Sequence, residues 1–266
     1  KYYALNIETG EILWTKYNDA PFISEIKIKE DKFYVVDSNN VLRCISMIDG
    51  SLIWQHKSEN NLIKSTQKIS IVIDKEKIIF NNSVGDVSAL NINNGNLSWI
   101  TTTGDKDSSV KPFLLKLSQL VINENSVLFS NNNNSFYSVN LETGFKNWTQ
   151  NINSYLRPVV INDLIFTITT KGYLVIIDNP TGNIIRITDV FDKFKEKKRN
   201  KIKPVGFVVG KDSLFLTTDN GKLLVIDVST GKTQSILKID NNKISKPFIS
   251  NKNLYLVKDN LLIKLK

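Results

Sequence analysis

Apolar positions in this chain fall in short runs, each closed by a polar turn. Lys32-Phe33-Tyr34-Val35-Val36-Asp37 ends in Ser38-Asn39-Asn40, and Lys77-Ile78-Ile79-Phe80 ends in Asn81-Asn82-Ser83. Val127-Leu128-Phe129, Leu164-Ile165-Phe166-Thr167, Leu214-Phe215-Leu216-Thr217 and Leu254-Tyr255-Leu256-Val257 repeat the pattern. Runs this short, rich in β-branched and aromatic residues and bounded by turn formers, predict strands. Upstream of several lies a further segment opening on proline, at Pro21, Pro158, Pro204 and Pro247. Downstream come a second strand and a glycine phrase, which makes four short strands per repeat. No segment carries a convincing helical period. The best helix candidate, Val190 to Lys203, is a charged run rather than an amphipathic face.

The glycine phrase sets the repeat. Ala4-Leu5-Asn6-Ile7-Glu8-Thr9-Gly10-Glu11-Ile12-Leu13-Trp14 returns in related form ending at Trp54, Trp99 and Trp148, so all four tryptophans stand four residues after a turn glycine. Two further copies, at Gly182 and Gly231, lack the tryptophan. Gly10, Gly50, Gly95, Gly144, Gly182 and Gly231 are spaced by 40, 45, 49, 38 and 49 residues. A hairpin loop of this kind needs positive φ near its end, where glycine has no Cβ to clash, and commonly carries a bulge. The polar residue before each turn (Asn6, Asn91, Asn140, Asp178, Asp227) can cap the loop backbone. Four antiparallel strands at this period describe a propeller blade, whose faces are buried against its neighbours. The expected fold is all-β: a β-propeller of four-stranded antiparallel blades, in one domain over residues 1–266. The Trp-Asp signature of WD40 repeats and the double glycine of kelch repeats are absent.

The phrase Ala-Leu-Asn/Asp-x-x-Thr-Gly-x-x-x-Trp resembles the tryptophan-docking repeat of quinoprotein (PQQ-like) propellers. The resemblance implies that Trp14, Trp54, Trp99 and Trp148 pack across onto the neighbouring blade; as plain residues they are equally buried aromatics. Arg186 and Ser235 stand where two more tryptophans would be, so those blades are expected to be less well tied. The layout is most similar to the BamB-like lipoproteins of the outer-membrane β-barrel assembly machinery, over nearly the whole chain. The chain starts two strands before its first tryptophan and stops after three strands. The expectation is therefore that N-terminal residues lie outside this segment and that the complete ring has about seven or eight blades.

What that resemblance implies is a non-catalytic periplasmic scaffold associated with the outer membrane through a lipid anchor upstream of this segment. Its expected partners are the barrel-assembly pore protein and unfolded outer-membrane clients. Two loops match the family's partner-binding region. One is Asn61-Leu62-Ile63-Lys64-Ser65, with Leu62, Ile63 and Lys64 as the expected contacts; Leu62 and Ile63 also read as the start of the next blade's first strand. The other is Asp107 to Leu117, where Leu114, Leu115 and Lys116 replace the acidic residues the family tends to place there.

Composition changes this picture in a few places. No apolar run reaches the roughly 18 residues of a membrane-spanning helix. The single cysteine, Cys44, excludes an internal disulfide and reads as a buried thiol of an inner strand. His56 is the only histidine, which argues against histidine-rich zinc sites and a Ser-His-Asp triad. The quinoprotein resemblance raises a PQQ-dependent dehydrogenase. That chemistry needs converging oxygen ligands for a hard cation, and only Asp105 and Asp107 offer a weak motif, read better as a polar loop. No enzyme activity, cofactor or metal is expected. An extracytoplasmic sensor or ligand-binding domain stays open as the alternative. The net charge of +9 is spread over many blades except at Lys193, Lys195, Lys197, Lys198, Arg199, Lys201 and Lys203. This run reads as a solvated insertion between blades, with contact to acidic lipid headgroups or an acidic partner as the functional alternative. No aromatic platform accompanies it, so nucleic acid is not an expected partner. The Asn131-Asn132-Asn133-Asn134 run reads as a turn within one blade.

Overall fold

The protein is described here from a computed structural model that covers residues 1–58, 68–103 and 115–265. The chain separates into two compact units, residues 1–127 with 139–146 and residues 128–138 with 147–266.

The first unit opens with a two-stranded sheet, β1 (Tyr2–Leu5) and β2 (Ile12–Lys16). A four-stranded sheet follows, in the order β3 (Lys27–Lys29), β4 (Lys32–Val36), β5 (Val41–Ser46) and β6 (Leu52–Lys57). The next is built the same way from β7 (Ile71–Asp74), β8 (Lys77–Asn81), β9 (Val87–Asn91) and β10 (Leu97–Thr101). The boundary between the units runs through the fourth sheet: β11 (Val121–Asn123), β12 (Ser126–Asn131), β13 (Ser135–Asn140) and β14 (Lys146–Gln150).

The second unit continues with β15 (Val159–Ile161), β16 (Leu164–Ile168), β17 (Tyr173–Asp178) and β18 (Ile184–Asp189). A single helical turn, α1 (Glu196–Arg199), leads to β19 (Pro204–Val209), β20 (Ser213–Thr218), β21 (Lys222–Asp227) and β22 (Thr233–Lys238). A three-stranded sheet of β23 (Phe248–Ser250), β24 (Asn253–Lys258) and β25 (Leu261–Leu265) ends the described chain. In each sheet the strands pair in sequence order, as in the antiparallel meander of a propeller blade. Of the helix candidate at 190–203, only α1 is helical: four of its residues carry charge and none is buried, so no apolar face exists to extend it.

Burial follows strand rank. The two middle strands are almost entirely buried, the first half-buried, and the fourth alternates toward solvent, as β4, β5, β3 and β6 illustrate. The middle strands are covered on both faces, so they read as continuous apolar runs rather than alternating ones. Tyr34, Val36, Leu42 and Cys44 of one sheet form a single cluster with Ile71, Ile78, Phe80 and Leu90 of the next. In the second unit Phe166, Ile168, Leu174 and Ile176 do the same with Phe207, Leu214, Leu216 and Leu224. A blade therefore has no core of its own, and stability is shared between neighbours.

Candidate functional site

Each glycine phrase folds into the same hairpin loop. The glycine N–H donates to the carbonyl four residues back, from Gly10 to Asn6 (2.9 Å) through Gly231 to Asp227 (2.8 Å). The capping residues act as their chemistry allows: Asn6 Oδ1 accepts from the N–H groups of Glu8 and Thr9 at 2.9 and 3.0 Å, and Asn140 Oδ1 accepts from Glu142 and Thr143 at 2.9 Å each. The bulge lies on the strand that follows the glycine, three residues after it. Trp14 pairs with Ala4 and Ile12 with Leu5, so Leu13 is the extra residue. Ile53, Ser98, Ile185 and Gln234 occupy the same place. The added residue sits immediately before the tryptophan position and so sets which way the indole is aimed.

The indoles meet the next blade's turn in a repeated geometry. Trp14 Nε1 donates to Met47 O at 2.9 Å, Trp54 to Ile92 O at 3.1 Å, Trp99 to Leu141 O at 3.0 Å and Trp148 to Asn179 O at 2.8 Å. Each accepting carbonyl lies three residues before the turn glycine. The ring then lies flat on that glycine: a β-carbon built at Gly50, Gly95, Gly144 or Gly182 would fall 2.5–2.7 Å from the ring of Trp14, Trp54, Trp99 or Trp148. Gly10 meets nothing within 4 Å, and Gly231 meets Thr188 and Arg186. Aromatic neighbours back the indoles: Trp14 stacks on Phe33 at 6.4 Å between centroids and Trp148 on Phe136 at 5.8 Å.

Arg186, expected to tie its blade less well than a tryptophan would, nevertheless reaches the next turn. Its guanidinium donates from Nη2 to Val228 O at 2.8 Å and from Nη1 to Ser229 O. Val228 is three residues before Gly231, so arginine reaches the carbonyl an indole would reach. Arg186 Nε is buried with no hydrogen-bond partner. Ser235 stands at the equivalent place in β22, opposite Val225.

A second repeated device has a weaker sequence signal. At the turn between the two middle strands, Asp37 Oδ1 accepts from Asn39 and Val41 N–H at 2.9 and 3.2 Å. Asn82 Oδ1 accepts from Val84 and Asp86 N–H, and Asn131 Oδ1 from Asn133 and Ser135 N–H. The asparagines that end these strands in the sequence are thus turn caps. Threonine takes the place at Thr169 and Thr218, whose hydroxyls accept from the N–H groups four residues on. The change from Asp to Asn to Thr hid the repeat.

The residues expected to contact a partner, Leu62, Ile63 and Lys64, lie outside the described residues, as do Asp105, Asp107 and Leu114. Of the second loop, Leu115 and Leu117 are buried, while Lys116 is exposed. Leu115 packs over Gly85, so it belongs to the core and not to a contact surface. Both segments fall in sequence between the fourth strand of one blade and the first strand of the next, and the basic run 193–203 has the same place in the element order, between β18 and β19.

That basic run is more than a solvated insertion. Val190, Phe191, Phe194 and Ile202 are buried in the core of the second unit. Val190 N–H donates to Gly172 O at 2.9 Å, and its carbonyl accepts from Thr233 Oγ1 at 2.7 Å. Arg199 binds Asp189 at 2.7 Å and donates to the carbonyls of Phe194 and Asp192 at 3.0 and 2.6 Å. Lys193 Nζ donates to Gln234 O at 2.6 Å. The lysine-dominated composition hid the apolar anchors.

The remaining chemistry-bearing groups are structural in setting. Cys44 is fully buried, and burial pushes its thiol pKa up, which disfavours the reactive thiolate. Burial lowers the pKa of His56 on β6. Among the described residues no cluster of three or more His, Cys, Asp or Glu could hold a metal ion. No described helix is long and apolar enough to cross a membrane.

Known proteins share this repeat. A family model described as "Outer membrane protein assembly factor BamB" matches residues 1–188. The outer membrane protein assembly factor BamB of Moranella endobia is 22% identical over 242 residues, covering 90% of this chain and 60% of that protein. The factor of the same name from Legionella pneumophila is 26% identical over 211 residues, covering 76% and 50%. The crystal structure of BamB from Moraxella catarrhalis superimposes with a TM-score of 0.80 at 15% identity, covering 98% of this chain and 77% of that one; at that identity the likeness shows the fold, a β-propeller. The chain thus spans only half to about two thirds of the length of the sequence relatives it matches. With a matching repeat over most of its length, the chain belongs to the BamB family of outer membrane protein assembly factors.

Proposed function

We propose that this protein is a non-catalytic scaffold of outer-membrane β-barrel assembly, working at the periplasmic side of the outer membrane. It binds the assembly pore protein through connections between blades, with Leu62, Ile63 and Lys64 as the contacts, and helps to receive unfolded barrel clients. One observation carries this reading: every indole and Arg186 fastens one blade to the next blade's turn. A frame tied in this way holds its connections in fixed places, which is what surface recognition needs. The same repeat runs through both units, and the proposal treats residues 1–266 as one domain of it.

The test is capture of the full-length protein from its native envelope after mild crosslinking. The pore protein should be recovered with it. Leu62→Asp with Ile63→Asp should reduce that recovery by about tenfold, as expected for apolar anchors at the centre of an interface. Absence of the pore protein with intact bait would overturn the assignment and favour an extracytoplasmic sensor or ligand-binding domain.

A further inference from the structure

We infer that the protrusion formed by residues 193–203 is a docking surface for an anionic lipid membrane. Charge distribution is the first argument. Seven of the chain's 35 basic residues and one of its 26 acidic residues fall in these 11 positions, a net +6. The other 255 residues hold 28 basic and 25 acidic side chains, a net of only +3. Two thirds of the protein's net charge therefore sits on one connection.

The second argument is that the protrusion is built. Phe191, Phe194 and Ile202 hold its base in the core. Lys222 Nζ lies 4.7 Å from the centre of the Phe194 ring. Arg199 is taken up by Asp189 and two carbonyls, and Lys193 by Gln234. Among the described residues, the side chains of Lys195, Lys197, Lys198 and Lys201 make no hydrogen bond or ion pair, and all four are exposed. The arrangement spends its arginine on structure and sends its lysines to solvent.

The chemistry of those lysines selects the partner. A lysine ammonium is a compact point charge on a flexible stem, whereas arginine supplies the planar fork that reads a fixed carboxylate or phosphate. Loose point charges suit a fluid layer of anionic headgroups, where each lysine near the surface adds to the attraction. The phenylalanines of the segment point into the core, so nothing apolar is offered for insertion and no platform for stacking bases. Attachment is therefore electrostatic and salt-reversible. It is a separate contact from the one with the pore protein, and its test uses no pore protein.

The experiment is flotation of the purified protein with vesicles of phosphatidylglycerol and phosphatidylethanolamine, against vesicles of phosphatidylcholine. The wild type should float with the anionic vesicles only and be released at about 0.5 M salt. The variant Lys195→Gln, Lys197→Gln, Lys198→Gln, Lys201→Gln should lose anionic binding by about tenfold or more. It should keep the wild-type circular dichroism and melting temperature, because the anchors are untouched. Equal binding to both vesicle types, or an unaffected quadruple variant, would overturn the inference. So would lysine-dependent binding of a polyglutamate peptide with no vesicle binding, which would assign the surface to an acidic polypeptide.

Discussion

Arg186 donates to Val228 O at 2.8 Å, the carbonyl three residues before Gly231, just as Trp148 donates to Asn179 O at 2.8 Å three residues before Gly182. An indole and a guanidinium solve the same problem, because both are flat and carry an N–H at the right reach. They are not equal solutions. The indole fills space and uses its one donor, while Arg186 leaves Nε buried and unpartnered, which is a cost for a charged group.

Arg186→Ala should therefore lower stability by about 1–3 kcal/mol, since two carbonyl partners are lost and a cavity opens. Arg186→Trp should raise it by about 0.5–2 kcal/mol, the usual gain from restoring a repeat consensus. Both are read as midpoint shifts in urea unfolding. A lower midpoint for Arg186→Trp would show that Thr188, already over Gly231, leaves no room for the ring.

Gly144 and Gly10 make a matched pair. Both have positive φ, +76° and +75°. A methyl group at Gly144 would sit 2.7 Å from Trp99, whereas at Gly10 it would meet nothing within 4 Å. Gly10→Ala should cost only the backbone term, about 1 kcal/mol. Gly144→Ala should cost about 1–3 kcal/mol more through displacement of the indole. Trp99→Phe, which keeps a ring and loses the bond to Leu141 O, should cost about 1–2 kcal/mol, and Trp99→Ala about 3–5 kcal/mol. Equal losses at the two glycines would refute a role for the indole contact.

These turns were the most legible part of the sequence, because positive φ under a packed indole leaves no room for a β-carbon and so selects glycine, and the docking site selects a large flat side chain. The turn glycine announces a bulge but not which residue is the extra one: Leu13, Ile53 and Ile185 are aliphatic while Ser98 and Gln234 are polar, since this kind of bulge asks only for an extra residue. Arg186 was visible as a departure, but its hydrogen bonds depend on where Val228 lies in space. Phe194 and Ile202 were lost to view inside a lysine run, because burial there comes from the neighbouring strands and not from any local period. Leu115 stands in the sequence where the family tends to place acidic residues, and only its packing over Gly85 shows it to belong to the core.

His56 gives the protein an acid sensitivity near neutrality. Burial depresses its pKa in the fold, so the unfolded chain, with a value near about 6.5, takes up the proton more readily. Stability contributed by neutral His56 is complete above that value and falls as pH drops through it toward the folded value. Asp49 and Asp240, held at about 2 by hydrogen bonds, lose their contribution only below their ordinary 3.8, so they add no slope in the neutral range. The urea midpoint should decline between pH about 7.5 and about 5 in the wild type, and the His56→Gln variant should remove part of that decline. An unchanged slope in the variant would place the proton uptake elsewhere.

The anchoring of the basic protrusion predicts how it behaves toward proteases. Six lysines and one arginine in residues 193–203 offer many trypsin sites, yet cleavage needs the backbone to open. Opening requires Phe191, Phe194 and Ile202 to leave the core and Arg199 to leave Asp189. Native protein should therefore resist trypsin in this segment, since proteolysis tracks the population of the opened state. Phe194→Ala removes a buried ring and the partner of Lys222, at a cost of about 3–5 kcal/mol for a fully buried phenylalanine. The opening free energy of the segment falls with it, so trypsin should cut within residues 193–203 at least about tenfold faster. Mass spectrometry of the first fragments locates the cut. Rapid cleavage there in the wild type would mean that the anchors do not hold, and the protrusion would then be a loose charged loop rather than a presented surface.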